Sequence, residues 1–319
     1  MSKYLPDFLK SKPVDMMGDY TNAYKVKNRF AMLGPVSCGK STIAAGFVHT
    51  CETLSSIVPN FYCRVLPTST HILADANNLR LGKFPEKTNP LTPKAPEAGF
   101  LLCERGWREK KTQVPMCDVA GEITDYINYR ASGTTPAQVI RQRLDSINST
   151  VVETVKDSQG LIMALSAPDA LMFRENASTF DADVYMHTVV NAILQYRKDK
   201  HRPDPHVIIV LTKWDKVITQ SRDIGMDVYE SQEGLAKFLA NGYPATNMLV
   251  KPLRDKGLVH YFRSWFAIKH RQDGTEETWP DGKPVIDLIE DEDAFIRFRP
   301  RYAEQDYIDM VKLIGSFGQ

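Results

Sequence analysis

The sequence predicts an α/β fold: a mostly parallel central sheet with an antiparallel edge hairpin and helices on both faces. Strand and helix patterns alternate along the chain, the order expected of a parallel sheet with helical crossovers. The run Val207-Ile208-Ile209-Val210-Leu211 is apolar throughout and rich in β-branched residues, as a strand covered on both faces should be. Near the start, the apolar run Phe30-Ala31-Met32-Leu33 leads into a glycine-rich loop and then a helical pattern.

At 319 residues and 43% hydrophobic content, the chain can bury an ordinary core as one large domain or two small ones. A net charge of +1, from 40 basic and 39 acidic side chains, leaves no electrostatic footprint for nucleic acid or an anionic membrane. The five cysteines, Cys38, Cys51, Cys63, Cys103 and Cys117, form no C-x-x-C pair, so reduced thiols in a cytoplasmic protein are expected. Residues Met1 to Asp7 lack the apolar core of a signal peptide, and no run approaches the ~18 apolar residues of a membrane span. No C-terminal lipidation cysteine is present.

The loop Gly34-Pro35-Val36-Ser37-Cys38-Gly39-Lys40-Ser41 has the complete G-x-x-x-x-G-K-S spacing. Thr42 to His49 reads as a helix, so its backbone N–H groups and positive dipole end open into the loop, where phosphate oxygens are the natural ligand. Lys40 is placed to reach the outer phosphates as a point charge, and the Ser41 hydroxyl to hold a bridging magnesium ion. A chance glycine-rich turn would share the glycines, but not strand, lysine and hydroxyl together.

Residues 1 to about 26, with Pro6 and Pro13, read as a polar extension. Asn60 to Pro67 looks like an extra strand, and the spacing of Ile72, Leu73, Ala76 and Leu79 predicts a helix over 70–81, together an insertion at about 55–83. The segment Phe84 to Pro93 is punctuated by proline and must be loop. Gly99 to Arg105 and Thr112 to Cys117 read as a hairpin around a charged turn. The second strand runs into Asp118-Val119-Ala120-Gly121-Glu122. An aspartate at a strand's carboxyl end beside a phosphate loop can orient magnesium, directly or through water, and Gly121 can lend its N–H to a terminal phosphate.

Thr135 to Lys156 carries a long helical pattern, Gly160 to Ser166 a buried strand, and Asp183 to Lys198 another helix. The strand at 207–211 ends in Thr212-Lys213-Trp214-Asp215. A carboxylate there can accept parallel hydrogen bonds from the ring N–H and exocyclic amine of guanine, a donor pair adenine lacks, while Lys213 lays its stem across the base. A strand-to-helix turn with Asp215 as N-cap is the plainer alternative. Gln232 to Asn241 reads as helix, and Gly242 to Gly257, with Pro244 and Pro252, as mostly loop. Leu258 to Lys269 looks like the last strand, its alternating aromatics packing on the sheet rather than stacking on bases. Asp273 to Pro284 is a turn-rich excursion, and Glu290 to Asp293 a solvated acidic cluster or helix start. Ala303 to Ile314 predicts a final helix that covers the sheet with Tyr307, Ile308, Met310, Val311 and Ile314.

As an ordered set, GPVSCGKS, FPEKT, DVAGE and TKWD resemble the Ras-like, translation-factor-related class of P-loop GTPases. The FP-x-x-T and D-x-AGE forms look most like the large bacterial GTPase domains of uncertain biological role. The resemblance covers about residues 26–270 and implies phosphate contacts from Gly34 through Thr42, including Val36, Ser37, Cys38, Gly39, Lys40 and Ser41. It implies magnesium at Ser41 and Thr88, with Thr92 a rival to Thr88, and Asp118 in the metal's water shell. It places Gly121 on the terminal phosphate and Lys213 and Asp215 on guanine, with Thr212 heading that tetrad. The catalytic set it implies is Lys40, Thr88, Gly121 and Glu122.

The chain departs from the family pattern in places. Thr212 stands where Asn is usual, removing an amide that ties the base loop to the phosphate loop. Glu122 stands where Ras-like enzymes put a water-orienting Gln, and a carboxylate beside phosphate oxygens is repelled. Val36 replaces a Gly and crowds an incoming arginine or the attacking water, so slow intrinsic hydrolysis is expected. The expectation is therefore an N-terminal extension at 1–25, a GTPase domain at 26–270 and a C-terminal extension at 271–319 ending in a packing helix. Its function would be a GTP-binding switch with slow magnesium-dependent hydrolysis, answering to a protein effector or regulator or to a second copy of itself. Two rivals stand beside it. One is a P-loop ATPase or kinase with Asp118 as its Walker-B carboxylate, the other a non-hydrolysing module that holds the nucleotide as a structural ligand.

Overall fold

The computed structural model describes residues 28–35, 37–53, 57–86, 99–107, 109–116, 155, 158–171, 177–217, 231–290 and 298–317. The expectations for residues 1–25, Val36, Thr88, Thr92, Cys117, Asp118, Gly121, Glu122 and the acidic run after Glu290 lie outside those residues. So does the helix expected at 135–156, apart from Val155.

The strands are β1 (Asn28–Leu33), β2 (Phe61–Val65), β3 (Gly99–Glu104), β4 (Lys110–Pro115), β5 (Gly160–Ser166), β6 (His206–Thr212), β7 (Val259–Ser264), β8 (Leu288–Glu290) and β9 (Phe298–Pro300). The helices are α1 (Lys40–Thr53), α2 (His71–Arg80), α3 (Ala167–Leu171), α4 (Ala177–Asp199), α5 (Gln232–Gly242), α6 (Pro244–Asp255) and α7 (Glu304–Ser316). A seven-stranded sheet runs in the order β2-β3-β4-β1-β5-β6-β7, with β8 and β9 forming a separate two-stranded sheet. From β4 through β7 all neighbours are parallel. The β3–β4 hairpin is antiparallel, and β2, the extra strand, pairs antiparallel outside it.

Alternation within the central strands builds a core on each face, because successive side chains of a strand point opposite ways. Ala31, Leu33, Leu161, Met163, Leu165, Val207, Ile209 and Leu211 pack with Met186, Val189, Val190 and Ile193 of α4, Leu235 and Leu239 of α5 and Val250 and Leu253 of α6. The intervening residues Phe30, Met32, Ile162, Ala164, Ile208 and Val210 pack with Ile43, Phe47 and Val48 of α1, Ile72 and Leu79 of α2 and Tyr307, Met310, Val311 and Ile314 of α7. Each of the larger aliphatic and aromatic side chains among these contributes roughly 1.5–3 kcal/mol on burial. Every residue of β5 is buried, which explains why its sequence shows no polar alternation.

The loop expected at 242–257 is instead mostly helix α6. Pro244 sits in its first turn, where a missing N–H costs nothing, and Pro252 and Met248 lie on the solvent side, where water can serve the carbonyl left without a donor. The cap comes from another helix: buried Asp183 of α4 accepts from the N–H groups of Ala245 at 2.9 Å and Thr246 at 2.8 Å. The outer edge of β7 is closed by side chains. The Gln232 amide accepts from Tyr261 N–H at 2.9 Å and donates to its carbonyl at 2.7 Å, and Asp306 accepts from Arg263 N–H at 2.8 Å. A blocked edge resists pairing with a foreign strand.

The excursion after β7 is a ribbon with bridges Ile268–Ile286, His270–Glu276 and Thr278–Pro284. It touches residues 82–84: Trp279 donates to the Gly82 carbonyl at 3.2 Å, Lys83 lies 4.4 Å from the Trp279 ring centre, and Phe84 meets Phe266 edge-on.

Candidate functional site

The register aligns the carboxyl ends of β5, β6 and β7, with Ser166 beside Thr212 and Thr212 beside Ser264. The loop after β1 opens at the same end of the sheet. Its glycines have different reasons to be there. A Cβ on Gly34 would lie 2.5 Å from the Ala164 carbonyl oxygen and 2.6 Å from Cys38 Sγ, so the close pass of the loop over β5 excludes a side chain. Gly39 has φ +96°, in the left-handed region that other residues enter at a cost. Ser37, exposed at φ 58°, is a second left-handed turn in the same loop.

These reversals bring the chain into α1 at Lys40, with the first helical bond from Ile43 N–H to the Gly39 carbonyl at 2.9 Å. Lys40 is 6% exposed and folds back over the loop, its ammonium donating to the Gly34 and Pro35 carbonyls at 2.8 Å each. Its positive charge is thereby fixed at the mouth of a helix N-terminus. Ser41 and Thr42 are half-buried in the first turn. A loop of this shape can hold phosphate oxygens on backbone N–H groups, with the ammonium as counter-charge.

Thr212, at the end of β6, reaches into the same loop. Its buried hydroxyl donates to the Cys38 carbonyl at 2.6 Å, with the Leu165 carbonyl a second acceptor at 3.2 Å. The amide expected to be missing here is replaced by a hydroxyl: the shorter side chain keeps a donor and uses it on the glycine-rich loop. Lys213 follows at φ 55°, turning the chain out of the strand into helix at residues 214–217. Trp214 anchors that turn, buried with its ring 5.1 Å from Phe238. Asp215 is half-buried, and burial raises its carboxyl above the ordinary range against the opposing backbone N–H groups of Asp215 and Lys216; Glu276 from the ribbon adds to the rise.

Tyr243 is a residue that sequence reasoning missed. It is fully buried and donates to the Ser166 carbonyl at 2.9 Å, holding the end of β5 beside the loop. Nothing local marks it, because its partner is 77 residues away. After β7, Ala267 and Lys269 spend their N–H groups on the Arg301 and Val285 carbonyls at 2.8 Å each, so neither backbone donor is left for a base.

Ser41 is the member of the expected magnesium set Ser41, Thr88 and Asp118 that falls within the described residues. Hydroxyl and carboxylate oxygens are the hard donors that magnesium prefers, so the residue types fit the ion. Among the described residues no group of three or more His, Cys, Asp or Glu side chains could hold a metal. No described helix is long and apolar enough to cross a membrane.

No protein-family model and no curated protein matches the chain. Among solved structures it is similar to the ADP-ribosylation-factor-like GTP-binding protein, small COPII coat GTPase SAR1, of Encephalitozoon cuniculi in complex with GDP. The identity is 11%, the match covers 79% of this chain and 96% of that one, and the TM-score is 0.22. The α/β class rests on the chain's own strand order.

Proposed function

We propose that this protein binds GTP with magnesium and acts as a slowly hydrolysing switch. The observation that carries the reading is the Thr212 hydroxyl bonded to the Cys38 carbonyl, which draws the Thr212-Lys213-Trp214-Asp215 tetrad against the loop that holds Lys40. Phosphates would sit on the backbone N–H groups available between Gly34 and Thr42, Pro35 having none, with Lys40 against the outer oxygens. The base would reach Asp215, whose carboxylate is disfavoured by burial and would be relieved by guanine's two donors. Magnesium, held by the Ser41 and Thr88 hydroxyls with Asp118 in its water shell, would neutralise phosphate charge. Thr88 and Gly121 would order the 84–92 and 118–133 loops on the terminal phosphate and release them after hydrolysis. Glu122 is a poor orienter of water beside phosphate, so turnover would be slow without a partner protein.

Binding in the presence of magnesium should favour GTP over ATP by at least about tenfold. Equal affinity would remove the guanine claim in favour of an ATPase or kinase reading. Asp215→Asn should shift the preference toward xanthine nucleotides. Release of phosphate in a single turnover separates an enzyme from a module that merely holds the nucleotide.

A further inference from the structure

Away from the loop, the other end of α1 carries a pair of thiols that the proposed function does not use. Cys51 lies in the last turn of α1, and Cys63 lies on β2, the outermost strand of the sheet. Their sulfurs are 3.3 Å apart, within hydrogen-bonding contact, with Cys63 also 3.7 Å from the Phe47 carbonyl. Cys51 is 3% exposed, whereas Cys63 keeps part of its surface open at the sheet edge.

We propose that Cys51 and Cys63 form a reversible dithiol–disulfide site, oxidised by low-molecular-weight disulfides. The Cys63 thiol, after losing its proton to solvent, attacks one sulfur of the small disulfide, forming a mixed disulfide and releasing one small thiolate. The Cys51 thiol, deprotonated in turn, attacks the Cys63 sulfur, forming the intramolecular bond and releasing the second small thiolate. Both thiolates are reprotonated, so two protein thiols are oxidised and one small disulfide is reduced to two thiols. Closing from contact to a bond of about 2.05 Å needs the sulfurs to approach by roughly 1.3 Å, within reach of side-chain rotation and a small shift of an edge strand.

Sheet geometry selects this pair over the remaining neighbour. Cys103 is opposite Tyr62 in the β2–β3 register, so it shares the face of Tyr62 and packs with Leu66 and Leu101. Cys63, one residue along, packs on the other face with the α1 core. Burial, followed by the hydrogen bond to Cys51, raises the Cys63 thiol well above its ordinary value. Cys63 is therefore mostly thiol at rest, and its attack on a small disulfide is slow. The bond would clip the far end of the loop helix to the sheet edge and close the segment from 52 to 62.

The test treats the native full-length protein with oxidised glutathione, blocks remaining thiols with an alkylating reagent and maps disulfides in an unreduced digest. The expected product is a Cys51–Cys63 cross-link that forms equally in Cys103→Ser, is absent in Cys63→Ser and raises the melting midpoint by roughly 5 °C until dithiothreitol is added. Full alkylation of both residues after oxidation, a stable glutathione adduct on Cys63, or a cross-link from Cys63 to Cys103 would each overturn it. The wild-type and Cys103→Ser maps decide the matter even where Cys63→Ser does not fold.

Discussion

Thr212 shows what one hydroxyl can do at the meeting of two loops. It has one proton, and the 2.6 Å distance to the Cys38 carbonyl makes that the stronger of its two acceptors. Thr212→Val keeps the shape and leaves two buried carbonyls without this donor, a loss of about 1–3 kcal/mol. If the loop holds phosphate and the tetrad holds guanine, part of that loss appears in binding. GTP affinity measured by titration calorimetry should fall about tenfold, while Thr212→Ser stays near the parent. Unchanged affinity in the valine variant would detach the tetrad from the loop. The loop itself was legible because strand, glycines, lysine and hydroxyl lie within one short stretch. The tie was not, because its ends are 174 residues apart and the residue type argued against it.

Among the elements, α6 shows why local rules fail. Pro244 and Pro252 read as breakers, and in isolation they would be. The helix exists because Val250 and Leu253 bury in the core it forms with α4, β6 and β7 and because Asp183 supplies the cap that Tyr243 lacks. Sequence shows a capping residue next to a helix and cannot show one borrowed from α4, 62 residues away. Asp183→Ala should therefore cost about 2 kcal/mol in urea unfolding, more than an exposed cap, since both N–H groups lose a charged partner. Amide exchange should localise the loss to the first turn of α6. A uniform loss of protection across the sheet would mean that Asp183 supports the core generally. By contrast, β5 and β6 were plain in the sequence, since strands covered on both faces need no polar alternation to be recognised.

The whole fold carries an acid weakness where its beginning and end meet. The C-terminal segment returns to α1: Tyr307 packs where a side chain on Gly46 would clash, and Tyr302 bonds Thr50 at 3.0 Å and meets the ring of His49. His49 is fully buried, and neither ring nitrogen has a hydrogen-bond partner among the described residues. Burial first, then the nearby positive charges of Arg80 and Arg299, lowers its pKa to about 3. In the unfolded chain the same imidazole titrates near 6.5. Between those values the unfolded state binds a proton that the native state refuses, so stability is complete above about 6.5 and falls as the pH drops toward 3. The full loss is on the order of 5 kcal/mol. His49→Leu fills similar space without the unpartnered nitrogens. Its urea-unfolding free energy, subtracted from that of the parent, should be near constant above pH 7 and increasingly favour the variant below pH 6, because carboxylate titrations common to both cancel. Parallel acid curves for the two proteins would show that His49 finds a proton acceptor in the folded state and that the acid limb belongs to other groups.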